Sequence, residues 1–176
     1  MPNHVYNVLD VVGDEKELKR FKDTVWVKKL NNYTRVYEYI FDFHTTVTIP
    51  KDFTRKDNWL EWVDKNWGTR WNAYTPDGIN SIVFEEIDKE NIIFAFCTAW
   101  TPPTSWVINT LELFPSLKVK LIWLEENCRQ GKLNFSKKDE KYEVNGEYEM
   151  PCNQTISRVD FVVDYNKYFN FCSVDL

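Results

Sequence analysis

Metal-ligand pairs, signal-peptide features and long apolar runs are all missing from this chain. Two histidines, His4 and His44, and four cysteines, Cys97, Cys128, Cys152 and Cys172, stand far apart, with no C-x-x-C pair. Zinc sites are normally written as closely spaced ligand pairs, so the sequence offers no metal site, and no cofactor is expected. The opening residues MPNHV carry neither a basic start nor an apolar stretch, which argues against a signal peptide. No apolar run approaches the roughly 18 residues of a membrane-spanning helix. A soluble, cytoplasmic protein is the expectation. In that setting the Asn32-Tyr33-Thr34 and Asn153-Gln154-Thr155 triplets are accidental matches to a glycosylation signal. Glycine is scarce, at five residues, and no phosphate-binding loop, nucleophile elbow or H-E-x-x-H occurs. Nucleotide hydrolysis and the common hydrolase plans lose their main support. Basic charge is also short: 22 Lys and Arg face 27 Asp and Glu, for a net charge of -5. That balance disfavours a general phosphate-backbone binder, although net charge hides local distribution.

Aromatic side chains are what the sequence has in excess. Eight Trp, nine Tyr and twelve Phe make up 16% of 176 residues. Each ring can bury roughly 150–250 Å², so the length suits one domain with an aromatic-rich core. Cys97 lies in the apolar run 92–97 and reads as a small core residue.

The β-branched segment 4–12 predicts a strand, ended by Gly13-Asp14. Asp14 and Glu17 have capping-box spacing, and Leu18, Phe21, Val25 and Leu30 follow a helical stripe over 15–30. Residues 34–49 are rich in β-formers and predict one long strand or two short ones. A short helix is expected at 58–66, capped by Asp57, followed by an irregular stretch and a Pro76-Asp77-Gly78 turn. Strands over 79–87 and 91–99 then form a hairpin. A helix over 104–114 begins after two prolines, and a strand over 117–125 alternates apolar residues with Lys. A polar hairpin is expected in 131–150, turning at Asn145-Gly146 or at Lys137-Lys138-Asp139. Residues 156–171 lean towards a strand. With the short helix treated as an insertion, two β-α-β passes remain. They predict a ferredoxin-like α+β fold: an antiparallel sheet with helices on one face. The chain is expected to be a single domain, with a core over 1–126 and an extension over 127–176.

Several stretches resemble the YubB ferredoxin-like family. They are the opening MPNH with Asn7 and Gly13, WVDKNWGTRWNA over 62–73, FCTAWTPP over 96–103, FPSL over 114–117, and the strand WLEE over 123–126 with Gly131. Together they span about residues 1–135. The resemblance implies a ferredoxin-like fold and an origin on bacterial plasmids or phages. It carries no reaction, so it assigns no catalytic residue.

The segment over 67–72 concentrates Trp67, Arg70, Trp71 and Asn72, and Trp100, Thr101 and Trp106 are expected near it. Two readings stand. As a binding surface, Trp67, Arg70, Trp71, Asn72, Trp100 and Trp106 have the composition of an interface anchor. As a structural plug, the indoles pack between loop and sheet, and Arg70 and Asn72 satisfy local partners. His4 and His44 lie on expected strands without a nucleophile beside them, so they define no triad. Glu85, Glu86 and Asp88, and the pair Glu125-Glu126, read as a solvated rim at strand ends. Tyr37, Tyr39, Phe41, Phe43, Phe94 and Phe96 lie on expected strands, either as core or as an open face that stacks single-stranded nucleic acid. The function these features favour is a non-enzymatic mobile-element protein that binds a host protein, such as a defence nuclease. A single-strand nucleic-acid binder and a small enzyme are the alternatives.

Overall fold

The computed structural model describes residues 3–30, 35–51, 53, 58–75, 82–126, 129–138 and 141–149. Among these residues, three α-helices and eight strands follow one another. β1 (His4–Val12) alternates Val5, Leu9 and Val11 towards one side with Tyr6, Val8 and Asp10 towards the other. Asp14 then caps α1 (Glu15–Val25) by accepting a hydrogen bond from the Glu17 N–H at 3.0 Å. The Glu17 carboxylate turns instead to Arg20, so only half of the capping box forms.

The expected helix over 15–30 stops at Val25. Its buried stripe is Leu18, Phe21 and Val25, and the next positions on that face are Lys28 and Lys29. Continuing the helix would drive two ammonium groups into the core. The chain extends instead as β2 (Trp26–Leu30), which pairs with β3 (Tyr37–Phe41) in a separate two-stranded ribbon. Of the one long strand or two short ones expected over 34–49, the described residues form only β3. The Asp42 carboxylate accepts from the His44 N–H at 3.0 Å and folds Phe43–Thr45 into a 3-10 turn. His44 is therefore on a turn, not a strand.

α2 (Trp59–Asn66) follows, its amino-terminal cap at Asn58 making no side-chain bond. The expected Asp57 cap and the Pro76-Asp77-Gly78 turn lie outside the described residues, as does the whole of 156–171. β4 (Val83–Asp88) and β5 (Asn91–Ala99) form the expected hairpin, with the Asp88 side chain accepting from the Glu90 N–H at 2.7 Å. α3 (Thr104–Leu111) is three residues shorter than expected. β6 (Lys118–Glu125) leads into β7 (Gln130–Lys138) and β8 (Lys141–Glu149). Lys138 pairs with Lys141, and Asn145 and Gly146 lie within β8 opposite Asn134 and Leu133, so no turn forms at Asn145-Gly146.

The main sheet has six strands in the order β4-β5-β1-β6-β7-β8, and every pair is antiparallel. Within it, β1-α1-β4-β5-α3-β6 traces the ferredoxin-like β-α-β-β-α-β path with β1 and β5 at the centre. The insertion between α1 and β4 holds the ribbon, the 3-10 turn and α2, more than the single short helix expected. β7 and β8 lengthen the same sheet.

One face of the sheet carries the aromatic core. Phe94 and Phe96 of β5 meet Phe41 at 4.6 and 4.8 Å between ring centroids, and Phe43 stacks on Trp106 at 4.5 Å. Phe21 of α1 packs edge-on against Phe94 and Phe114. Full burial of each such ring stabilises the fold by roughly 1.5–3 kcal/mol. Phe41, Phe43, Phe94 and Phe96 are completely buried. These four rings are core, and none offers a face to a base. On the opposite side, Val8, Ala95, Cys97 and Ile122 form a smaller buried cluster with Tyr6 and Tyr74 against it.

Candidate functional site

α2 ends where α3 begins, and this junction sets the geometry of the aromatic segment. Trp67 and Gly68 both donate backbone hydrogen bonds to the Val63 carbonyl. Gly68 adopts φ +77°, and a Cβ there would lie 3.0–3.2 Å from Thr104 and Ser105 at the start of α3. The carbonyls at the end of α2 then serve α3. Trp67 O accepts from the Trp106 N–H, Asn66 O from the Asn109 amide, and Gly68 O from the Thr101 hydroxyl. Unpaired donors of one helix and acceptors of the other are satisfied together.

The six residues grouped in the sequence separate into two sets. Trp67 and Trp106 are each 1% exposed. Their indole N–H groups donate to Val47 O and to the Thr46 hydroxyl, both at 2.9 Å. Asn72 turns inward as well. Its oxygen accepts from the N–H of Phe43 and Ala73, and its amide donates to Asp42 at 2.7 Å. These three side chains are anchors inside the fold.

Trp71, Trp100 and Arg70 face outward. Trp71 is 41% exposed and Trp100 37%, and they meet edge to face at 5.6 Å. The Arg70 guanidinium lies 5.5 Å from the centre of the Trp100 ring, and its Nε is 3.5 Å from Asp64. Both partners of that ion pair are about half exposed, so it contributes little to stability. Asp64, Gly68, Arg70, Trp100 and Thr101 line an open cleft of about 330 Å³. Trp100 adopts φ +68°, and its N–H donates to Asn3 O. A bulky side chain in this left-handed region costs on the order of 1–3 kcal/mol.

A second group adjoins this surface through Tyr74, whose ring packs 5.4 Å from Trp71. The Tyr74 hydroxyl meets His4 Nδ1 at 2.5 Å and donates to Thr98 O at 3.3 Å. His4 Nε2 lies 3.8 Å from Glu126, whose other oxygen accepts from the His4 backbone N–H. Nδ1 thus lies within hydrogen-bond reach of a partner, and Nε2 faces a carboxylate at ion-pair distance only. Burial is the first cause that pushes the Tyr74 hydroxyl well above its ordinary range, helped by nearby Cys97 and Glu126. Tyr6 is pushed up to about 12, again chiefly by burial. The buried Cys97 thiol is raised for the same reason, which keeps it protonated and a poor nucleophile. His44 packs edge-on against Trp67 at 4.8 Å.

The acidic residues at strand ends are dispersed. Glu86 pairs with Lys22, Asp88 caps its own turn, and Glu125 meets Asn3 and Arg129. Among the described residues, no group of three or more His, Cys, Asp or Glu side chains could hold a metal ion. None of the described helices is long and apolar enough to cross a membrane.

The sequence missed Asp64, Tyr74 and the contact between His4 and Glu126. Asp64 sits one helical turn before the WGTR segment, and its side of α2 was legible only once the helix end was placed. His4, Tyr74 and Glu126 have no local signal, because strand pairing alone brings them together.

Residues 80–165 match the family model described as the ferredoxin-like domain in Api92-like protein. That segment holds β4, β5, α3, β6, β7 and β8, whereas β1, which pairs between β5 and β6, lies outside it. No curated protein and no solved structure matches the chain. Match and topology agree on the class: an antiparallel α+β fold of ferredoxin-like type.

Proposed function

We propose that this chain is a non-enzymatic binding protein that engages a protein partner through Trp71, Trp100 and Arg70. The observation that carries this reading is the Trp100 backbone at φ +68° with its side chain still about a third exposed. Strain stabilises nothing by itself, and burying the ring would have offset it. The chain accepts the strain and leaves the indole presented instead, beside a second indole and a guanidinium. Trp and Arg are the residues that most often dominate binding energy at protein interfaces. The cleft beside them gives a partner side chain room to enter, with Asp64 and Arg70 supplying both charges at its wall.

The resemblance to plasmid- and phage-borne proteins supports a host protein as partner. A host defence protein, a nuclease among them, is the first class to test. Immobilised protein incubated with bacterial lysate should retain a stoichiometric partner. Trp71→Ala and Trp100→Gly should each weaken that complex by roughly thirtyfold or more, as interface anchors do. Glycine relieves the strained backbone at position 100, so Trp100→Gly should hold or raise its urea midpoint. Equal capture by wild type and both variants would refute the reading.

A further inference from the structure

We infer that the β2–β3 ribbon is a separate site for single-stranded nucleic acid. The pairing register places Trp26 opposite Phe41, Lys28 opposite Tyr39 and Leu30 opposite Tyr37, so these six residues share one face of the ribbon. At its base, Trp26 leans on Phe84 and Phe94 of the main sheet and fixes the face to the core. Trp26 stacks on Tyr39 at 5.8 Å with 13° between the planes, so Tyr39 is backed by a rigid ring. Further out the face is open. Tyr37 is 62% and Tyr39 55% exposed, with Leu30 exposed beside them. Lys28 Nζ lies 5.9 and 6.0 Å from the two tyrosine ring centres.

The spacing and charge of this face fit an unpaired strand. Tyr37 and Tyr39 are two residues apart on one strand, about 6.8 Å. That is about twice the 3.4 Å rise of stacked nucleotides. Neighbouring bases can each take one ring only if the nucleic acid is extended and its base faces are free, which a duplex does not allow. The ribbon is also locally basic in an acidic chain. Lys28, Lys29 and Arg35 face one acidic residue, Glu38, across the described part of the ribbon. Lys29 is bonded to Asp42, and Lys28 and Arg35 form no ion pair with a described residue. Lys28, within 6.0 Å of both ring centres, sets a phosphate contact beside two stacking platforms. This site is independent of the Trp71–Trp100 surface, which lies on the α2–α3 junction.

Fluorescence anisotropy of the full chain with labelled single-stranded DNA and RNA dodecamers at 20 mM salt tests it. Binding is expected, and it should weaken as salt rises, with a slope near -1.4 for about two phosphate contacts. Tyr37→Ala and Tyr39→Ala should each reduce affinity by roughly five- to 150-fold. Lys28→Ala should flatten the salt slope by about 0.7. The matching duplex should bind more weakly than either single strand. No binding at 20 mM salt overturns the inference. So does binding that the duplex or heparin equals and the tyrosine variants leave unchanged, which is simple attraction of a polyanion. Loss of a captured protein partner on Tyr39→Ala, without any oligonucleotide binding, assigns the ribbon to a protein interface and also overturns it.

Discussion

The Asn72 amide donates to the buried Asp42 carboxylate at 2.7 Å, a contact that ties the aromatic segment to the base of the ribbon. Asp42 also takes the Lys29 ammonium on its other oxygen and caps the turn at His44. A residue pair distant in the chain thereby fixes where β3 stops and where the loop carrying Trp71 starts.

Asn72→Ala removes the donor to Asp42 and the acceptor for two backbone N–H groups. Hydrogen bonds to charged groups are worth about 1.5–3 kcal/mol each. The variant should lose roughly that much stability, measured as a lower urea midpoint at unchanged slope.

Acid should weaken the same junction. Burial alone would raise the Asp42 carboxyl, but Lys29, the Asn72 amide and the His44 N–H outweigh it and hold the group below the usual carboxylate range. The unfolded chain therefore binds this proton more readily than the folded one. The contribution is complete above the unfolded value, about pH 4, and fades as pH falls through the lower folded value. The gap in urea midpoint between wild type and Asp42→Asn should stay constant from pH 7 to about 5 and shrink below about pH 4.

Gly68→Ala should destabilise the chain by about 1–2 kcal/mol, the penalty of a left-handed residue with a Cβ. Contact with the α3 backbone at 3.0 Å adds to that, because neither helix end can move without breaking the shared hydrogen bonds. Thermal unfolding measures it, and an unchanged midpoint would contradict the junction described above.

The two sets of tryptophans should separate cleanly. Trp106→Ala should cost about 3–5 kcal/mol, since it empties a buried site and orphans a polar partner. Trp71→Ala should stay within about 0.5 kcal/mol, as surface substitutions do. Chemical denaturation of the two variants side by side distinguishes a structural anchor from a displayed ring.

Cys97 should resist alkylation in the folded protein. Its thiol is buried and raised well above the ordinary range, chiefly by burial. Iodoacetamide at pH 8 should leave the peptide containing Cys97 unmodified until urea is added, as read by mass spectrometry. Rapid native labelling would mean that this side of the sheet opens.

Much of the architecture was legible from local signals. The β-branched run in 4–12, the hairpin around Lys89 and the proline-led helix at 104 each have a local cause, and each element formed, the helix ending three residues early. The ribbon was not legible. Leu18, Phe21 and Val25 point on to Leu30 as one helical stripe, and only Lys28 and Lys29 hinted that the helix must end. Within the aromatic segment, composition marked the right neighbourhood but did not rank its members. Trp67 and Trp71 look alike in sequence, yet one donates its indole N–H to Val47 O inside the core and the other stands in water.

An excess of rings over a modest charge was enough, read along the chain, to require a buried aromatic layer against a sheet, because water rejects that much apolar surface however the strands are ordered. Which rings fill the layer and which remain outside was decided by tertiary structure alone. Strand pairing sets the separation of distant residues, and burial of any one side chain depends on what the rest of the chain places over it. Phe43 is covered by Trp106 and Trp67, while Tyr39, a near equal in hydrophobic area, has Trp26 behind it and solvent in front.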